Sequence, residues 1–285
     1  MRFVSFVHAG QESFGLSTPG GIADIGAVLR PRYLDLRALI ATGRATELAF
    51  EALDWLRAPR FDEQQVQLLP PIPQPGKIFC IGVNYADHAQ ETGIAASAHP
   101  TVFLRLAESQ VGHGQPLVAP FESSQFDFEG ELAIVIGTGG RRISAGQAWD
   151  HVFGCACYND ATARDWQFHT SQWGPGKNFW RTGGFGPWLV TRDEVDPATQ
   201  VLTLTTRVNG EVMQCDTTDH LVHGVPALVA YCSTLLPLAA GDVIVTGTPA
   251  GVGLSRNPPL FLRECDVVEV EISGLGCLRN TVEHG

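Results

Sequence analysis

The stretch Phe126-Asp127-Phe128-Glu129-Gly130-Glu131-Leu132 decides the fold, and it runs directly into the apolar segment Ala133-Ile134-Val135-Ile136. The alternation predicts a strand that aims Glu129 and Glu131 at the same face, because strand side chains alternate with a period of two. A solvated edge strand is the simpler interpretation of such a Glu-x-Glu pair. The apolar run belongs in a core, however, and two carboxylates entering a core require a compensating charge. A bound cation would supply it.

A third carboxylate, Asp160, ends another apolar run at residues 152–158. Three carboxylates that converge without a thiolate or an imidazole suit a hard, oxygen-binding cation. The sequence therefore predicts a metal site for Mg²⁺ or Mn²⁺, with Ca²⁺ as a further candidate, held by Glu129, Glu131 and Asp160.

Composition narrows the possible partners. The 285 residues carry a formal net charge of -11 and no Lys/Arg-rich run, which argues against a nucleic-acid surface. No apolar stretch approaches the roughly 20 residues of a membrane span, and the first residues lack the pattern of a signal peptide, so we expect a cytoplasmic protein that does not bind membranes. Seven cysteines in scattered apolar contexts fit reduced, buried thiols better than a disulfide framework.

The pattern changes at a Pro-rich connector, residues 69–75. Before it, short strands and a helical stretch at 34–56 predict a small accessory domain at 1–72. After it, short apolar runs separated by Gly and Pro turns predict a β-rich domain at 73–285 with a helix near 221–236. The fold class predicted is α+β, mostly β.

Over residues 73–285 the chain resembles the fumarylacetoacetate hydrolase family. The resemblance rests on ordered motifs, which are Ile81-Gly82-Val83-Asn84-Tyr85-Ala86-Asp87-His88 with Glu91, the Glu129/Glu131 stretch, Asn159-Asp160-Ala161-Thr162-Ala163-Arg164-Asp165-Trp166-Gln167, Gly176-Lys177, and Thr246-Gly247-Thr248-Pro249-Ala250-Gly251-Val252-Gly253. It implies a mixed β-sandwich roll with a small N-terminal α/β domain, a homodimer, and a divalent metal on the three predicted carboxylates. It also implies β-diketo or 2-oxo acid substrates.

Further site residues follow from the residues and the resemblance together. His88 and Glu91, three apart on a helical turn, can touch, which by itself also fits an exposed surface pair. The resemblance implies that they form a catalytic dyad on a mobile lid. It further implies that Lys177, otherwise an ordinary surface lysine, meets the substrate carboxylate or oxyanion, and that Thr248 and Gln167 bind substrate. The simpler role for Thr248 is turn formation.

Two positions depart from the family pattern. Arg105 stands where a lysine is usual, and Arg181 follows Lys177 as an additional cation. Arginine is a bidentate carboxylate binder, so these residues predict recognition of a distal carboxylate on the substrate. Arg164 and Asp165 we interpret as structural pairs.

These inferences predict a metal-dependent hydrolase. It would cleave a C–C bond of an acylpyruvate to pyruvate plus an acid, with fumarylpyruvate or maleylpyruvate from aromatic ring cleavage as fitting substrates. The alternatives are an oxaloacetate-type decarboxylase, a keto–enol isomerase of a 2-hydroxy-diene-dioate, and an inactive ligand-binding homologue. Fold analogy does not choose among these chemistries.

Overall fold

Strands predominate in the computed structural model, which describes residues 1–54, 57–93 and 97–285. The strands are β1 (Arg2–His8), β2 (Gln11–Thr18), β3 (Gly21–Ala23), β4 (Arg60–Phe61), β5 (Gln67–Leu68), β6 (Ile78–Gly82), β7 (Thr101–Arg105), β8 (Gln110–Val111), β9 (Leu117–Ala119), β10 (Phe126–Asp127), β11 (Gly130–Ile136), β12 (Val152–Asn159), β13 (Thr162–Ala163), β14 (Gly183–Thr191), β15 (Thr203–Val208), β16 (Glu211–Thr217), β17 (Val243–Val245), β18 (Val267–Ile272) and β19 (Gly276–His284). This strand-rich α+β architecture confirms the predicted fold class.

The helices are short. They are α1 (Gly26–Leu29), α2 (Leu36–Ile40), α3 (Ala45–Asp54), α4 (Ala86–Thr92), α5 (Arg164–Gln167), α6 (Gly174–Lys177) and α7 (Val225–Leu235), with 3₁₀ turns at Glu63–Gln65, Ala107–Ser109, Ala145–His151, Thr218–His220 and Gly253–Ser255. None of the helices in the described ranges is long and apolar enough to cross a bilayer.

A large mixed sheet carries the strand order β4-β3-β2-β1-β14-β12-β11-β17-β6-β7, with β5 paired to β1 and β8 to β14. The predicted core strand, β11, lies inside this sheet between β12 and β17, and every one of its residues is buried. A second sheet, in the order β16-β15-β18-β19-β9, packs its apolar side chains against the large sheet, where Leu204 and Val270 join a cluster that contains Ile134. Because β11 is buried on both faces, its apolar run follows from its position.

The N-terminal segment shares its sheet with the rest of the chain. Strand β1 pairs antiparallel with β14, with Phe3 opposite Leu189. One apolar cluster contains Phe3 and Leu36 from the N-terminal segment together with Ala133 from β11. The predicted division near residue 72 therefore separates neither two sheets nor two cores.

The helical stretch predicted at 34–56 consists of two helices. The first, α2, is followed by a turn in which the Gly43 N–H donates to the Ile40 carbonyl at 3.0 Å. Gly43 has a φ of +69°, the left-handed conformation that commonly ends helices and that glycine adopts without a steric penalty. The second helix, α3, begins two residues later, and Trp55 and Leu56 lie outside the described residues.

Replacing Phe3 with Ala tests whether the chain unfolds as one unit. Phe3 is fully buried in the shared cluster, so we expect the free energy of unfolding to fall by about 3–5 kcal/mol in a single transition, measured by urea denaturation. Phe121, which is 86% exposed, provides the control, and Phe121→Ala should change stability by less than about 0.5 kcal/mol. A separate early transition in Phe3→Ala would instead support an independent N-terminal domain.

Candidate active site

Three buried carboxylates meet where β11 and β12 come together. Glu131 is the second residue of β11 and Glu129 directly precedes that strand, whereas Asp160 directly follows β12. The antiparallel register sets Gly130 opposite Asn159, and the Asp160 N–H donates to the Glu129 carbonyl at 2.8 Å. One carboxylate oxygen from each of the three residues lies within 4.8 Å of the others. The pairing of two core strands thus builds the predicted cluster.

Three cationic side chains lie against this cluster. Lys177, at the end of α6, places Nζ at 2.6 Å from Glu129 Oε2 and 2.6 Å from Asp160 Oδ2. Arg164 Nη1 lies 2.6 Å from Glu129 Oε1, and Arg105 Nη1 lies 2.5 Å from Asp160 Oδ1. All of these side chains are buried, so each charge depends on its partners for compensation.

The nearby cations shift the pKa values of Glu129 and Glu131 unequally. Burial by itself would raise the pKa of Glu129, but Lys177 and Arg164 outweigh it and lower that pKa to about 2. For Glu131, burial together with the neighbouring Asp160 and Glu129 raises the pKa well above its usual value of 4.5. The partner recorded for the Glu131 carboxylate is the Gly247 N–H, at 2.5 Å from Oε2. Among the described residues, Glu131 is therefore the one carboxylate of the three that forms no ion pair.

The donor set fits a divalent cation. It offers carboxylate oxygens alone, which Mg²⁺, Mn²⁺ and Ca²⁺ favour as ligands. A cation held by Glu129, Glu131 and Asp160 would also supply the charge that Glu131 lacks among the described residues. The predicted metal ligands thus lie together, in a chemistry that suits the predicted ions.

The predicted dyad lies on helix α4. His88 and Glu91 are one helical turn apart, and His88 Nδ1 lies 3.2 Å from Glu91 Oε2. The other Glu91 oxygen accepts a hydrogen bond from the Gly251 N–H at 2.9 Å. His88 is buried, whereas an ordinary surface pair would be exposed. Glu91 therefore orients the imidazole while being fixed itself by the loop after β17.

The dyad and two of the three carboxylates line one cavity of about 390 Å³. Glu129, Glu131, His88, Glu91 and Lys177 all contribute to its surface. Much of the remaining wall is apolar and includes Ile81, Val83, Phe103, Phe168, Trp173 and Leu254. This combination of an apolar wall with a few converging charged groups is typical of a small-molecule site.

Two of the predicted substrate-binding residues lie on this cavity. Thr248 and Gln167 both line it. The Thr248 hydroxyl donates to the Gly130 carbonyl at 3.0 Å and accepts from Gln214 Nε2 at 2.8 Å, so this side chain also braces the start of β11. Direct contact of Thr248 or Gln167 with substrate stays a prediction.

The placement of Arg105 requires a correction. This residue is not among the described residues that line the cavity, and its side chain is fully buried. Besides the ion pair with Asp160, it donates to the Ala161 carbonyl at 3.0 Å and to the Thr182 hydroxyl at 2.8 Å. Its donors are occupied inside the protein, so Arg105 supports a metal ligand and does not face a substrate carboxylate.

Arg181 requires the same correction. It lies beyond the described cavity wall, donates to Gln115 Oε1 at 3.2 Å and packs over the Trp180 ring at 5.2 Å. Among the described residues, the arginine and lysine side chains on the wall are Arg164 and Lys177, both already paired with Glu129. The described cavity wall therefore gives no support to a distal substrate carboxylate recognised by Arg105 or Arg181.

Sequence reasoning missed part of the role of Arg164. We interpreted it as a structural pair, and it does bind Asp127 at 2.8 Å, but it also contacts Glu129 and lines the cavity. Asp127 is fully buried and accepts hydrogen bonds from the N–H groups of Gly253 and Leu254. The available signal was Asp127 itself, because an acidic residue between two phenylalanines requires a buried cationic partner.

Replacing Glu131 with Gln tests the metal assignment. Loss of one of three carboxylate ligands should weaken Mn²⁺ binding by more than the roughly 10–100-fold typical of losing a supporting residue, measured by isothermal titration calorimetry. Glu271, an exposed glutamate on β18, gives the control variant Glu271→Gln. Equal Mn²⁺ affinity in wild type and Glu131→Gln would remove Glu131 from the ligand set.

In protein stripped of metal by EDTA, the stability of Glu131→Gln should depend on pH differently from that of the wild type. Because the pKa of Glu131 is raised above 4.5, the folded state keeps a proton on this residue that the unfolded state loses, so the contribution of Glu131 to stability falls as pH rises above about 4.5. Gln has no proton to lose. We therefore expect Glu131→Gln to be more stable than wild type at pH 7 and equally stable near pH 4, measured by thermal unfolding. A stability difference that does not change with pH would contradict this linkage.

Known proteins resemble this chain in both fold and sequence. The family model described as "Fumarylacetoacetate (FAA) hydrolase C-terminal" matches residues 77–283. A relative from Xenopus laevis, named oxaloacetate tautomerase fahd2, mitochondrial, is 39% identical over 290 residues, covering 99% of this chain and 90% of the relative.

Two solved structures extend over the whole chain. A fumarylacetoacetate hydrolase from Exiguobacterium antarcticum is 36% identical with a TM-score of 0.87, and each chain is covered completely. A maleylpyruvate hydrolase from Sphingobium sp. SYK-6, solved with manganese(II) and pyruvate, is 29% identical with a TM-score of 0.82, again with complete coverage of both chains. The chain therefore belongs to the fumarylacetoacetate hydrolase family.

Proposed function

We propose that this protein is a divalent-metal-dependent enzyme that interconverts the keto and enol forms of a 2-oxo acid, with oxaloacetate as the leading substrate. The observation that carries the proposal is the His88–Glu91 pair on the same 390 Å³ cavity as Glu129 and Glu131. The relative from Xenopus laevis, whose name is oxaloacetate tautomerase and which matches 99% of this chain, favours oxaloacetate. Membership of an enzyme family supports a catalytic role over a purely ligand-binding one.

The dyad supplies the base that this reaction needs. With Nδ1 of His88 donating to Glu91 Oε2, Nε2 is the ring nitrogen left to accept a proton. In the keto form a proton leaves C3 of the substrate for Nε2, and the C3 electron pair forms the C2–C3 double bond. The same proton then passes from Nε2 to the oxygen on C2, which yields the enol with atoms and charge in balance. The reverse sequence gives the keto form.

The surrounding groups favour the enolate that lies between the two forms. A divalent ion bound to Glu129, Glu131 and Asp160 would polarise the 2-oxo group as a Lewis acid. Lys177 contributes a fixed positive charge in a water-poor site; burial alone would lower its pKa, but Asp160 and Glu129 raise it, so it stays protonated. The apolar wall, which includes Phe103 and Trp173, excludes water from the reacting carbon.

Hydrolysis of an acylpyruvate C–C bond is the second candidate. A base that accepts a proton from C3 can equally accept one from water, so the dyad serves both reactions. The observation that favours hydrolysis is the similarity to the maleylpyruvate hydrolase, whose structure holds manganese and pyruvate. In that reaction the pyruvate fragment leaves as an enolate, for which Lys177 has the same role.

Assembly and location stay predictions. We propose a homodimer in the cytoplasm that takes a small 2-oxo acid and binds neither nucleic acid nor membrane. The net charge of -11 supports the exclusion of nucleic acid. The Xenopus laevis relative carries the word mitochondrial in its name, so the cytoplasmic location requires a direct test.

Turnover of a small substrate panel tests the function. Oxaloacetate, acetylpyruvate, fumarylpyruvate and maleylpyruvate are each incubated with Mn²⁺ or Mg²⁺, with EDTA as the control, and the products are identified by NMR. Metal-dependent enol-to-keto conversion of oxaloacetate without loss of carbon is the expected result. Release of pyruvate plus an acid from an acylpyruvate would establish the hydrolase instead, and CO₂ from oxaloacetate would establish a decarboxylase.

Replacing His88 with Ala should lower kcat by about 10²–10⁴-fold, the usual contribution of a general base, without changing the Kd for Mn²⁺. The matched control is His151→Ala, because His151 lies at the opposite end of β12 from Asp160. Full activity in His88→Ala would rule out the dyad as the proton acceptor.

A further inference from the structure

Asn84 is fully buried immediately before helix α4, and its side-chain amide is fully used. Nδ2 donates to the Thr246 carbonyl at 2.7 Å and to the His223 carbonyl at 3.0 Å, while Oδ1 accepts from the His223 N–H at 2.7 Å. The Asn84 carbonyl also accepts from the Val222 N–H at 2.8 Å. An asparagine, with two donors and an acceptor, satisfies three backbone groups here.

The bond to Thr246 joins the two halves of the candidate active site. Thr246 is followed by Gly247, whose N–H holds Glu131. Asn84 is two residues from the start of α4, which carries His88. One short path of hydrogen bonds and peptide units therefore runs from a metal-ligand carboxylate to the base of the helix that bears the dyad.

The close contact between the Asn84 side chain and the backbone near Thr246 depends on glycine at position 247. A Cβ at Gly247 would lie 2.7 Å from the Asn84 Cβ, and Gly247 has a φ of +104°. Glycine has no Cβ to clash with Asn84, and it adopts a positive φ without the steric penalty that other residues have. The backbone of the loop 246–251 can therefore reach Asn84 where any other residue would push it away.

The same loop also holds the other end of α4, through the bond from the Gly251 N–H to Glu91 Oε1. Between β6 and Asn84, Val83 adopts a φ of +55°, an outlier for a β-branched residue. Such a conformation persists only where the surrounding contacts enforce it. Asn84 directly follows Val83, and its hydrogen bonds hold the backbone at this point.

We propose that Asn84 is a positioning residue that fixes the His88–Glu91 dyad relative to the metal-binding carboxylate Glu131. It acts through the dyad and touches no substrate, since it is absent from the described cavity wall. The proposal rests on the proposed function, because it requires a dyad that transfers a proton. It goes beyond that function by making the geometry of the proton transfer depend on a residue outside the cavity.

Replacing Asn84 with Ala should lower kcat by about 100-fold, the loss expected when a catalytic group moves by about 1 Å. The Kd for Mn²⁺ should keep its wild-type value, because Glu129, Glu131 and Asp160 keep their own hydrogen bonds and ion pairs. If the alanine variant does not fold, Asn84→Ser replaces it. Serine is too short to make the hydrogen bond to the Thr246 carbonyl but keeps a polar group at this position. A wild-type kcat in a folded Asn84 variant would overturn the proposal.

The matched control is Asn280→Ala. Asn280 is also buried, and its Nδ2 likewise donates to two backbone carbonyls, those of Gly112 and Gln115, at 2.9 and 2.7 Å. This variant should lose stability while keeping its kcat. If it loses kcat as much as Asn84→Ala at equal loss of stability, the effect at Asn84 is general destabilisation and the proposal fails.

A double-mutant cycle with Glu91→Gln distinguishes positioning from an independent role. If Asn84 acts through the dyad, the double variant should have a kcat close to that of the less active single variant. The second substitution then removes a function that the first has already removed. If the two losses in kcat multiply, Asn84 acts elsewhere and the proposal is wrong.

Amide hydrogen exchange separates this proposal from the proposed function, because it needs no substrate. Exchange of the α4 amides should accelerate in Asn84→Ala and stay at the wild-type rate in Asn280→Ala, while the β11 amides stay protected in both. Accelerated α4 exchange in a protein that turns over none of the panel would contradict the proposed function and leave the structural role of Asn84 intact. Unchanged α4 exchange would overturn that role whatever the substrate.

Discussion

The pairing of β11 with β12 is the interaction on which the rest of the structure depends. It is a central part of the large sheet, and its register brings Glu131, Glu129 and Asp160 to one point inside the protein. Burying three carboxylates together is strongly unfavourable unless cations compensate them. The positions of Lys177, Arg164 and Arg105 follow from that requirement, since each is paired with one or two of the carboxylates.

The sequence predicted those features that depend on local periodicity. The alternation at Glu129 and Glu131 located the carboxylates, although the strand itself begins at Gly130. The spacing of His88 and Glu91 predicted their contact, because residues three apart in a helix are neighbours. Both predictions needed only a short window of sequence. The family resemblance added Lys177, which lies on the cavity wall, whereas its contact with substrate stays a prediction.

Features that depend on distant parts of the chain could not be predicted in this way. Arg105 pairs with Asp160, 55 positions later, and nothing in the local pattern distinguishes such an ion pair from a substrate-binding arginine. The pairing of β1 with β14 likewise joins segments more than 180 residues apart, so a Pro-rich connector indicated a boundary where the sheet is continuous. The contact between His88 and Glu91 does not by itself distinguish hydrolysis from isomerisation, because proton transfer at carbon requires a base just as water activation does.

The loop at residues 246–251 has a consequence for how such a site can diversify. It contacts Glu131 through Gly247 and Glu91 through Gly251, so the placement of both carboxylates rests on backbone groups. Much of the apolar wall comes from other segments, among them β7 with Phe103 and the turn before α6 with Trp173. Substitutions on that wall can therefore reshape the cavity without disturbing the backbone groups that hold Glu131 and Glu91. A chain built in this way can acquire new substrates by changing its lining while its reactive centre stays fixed.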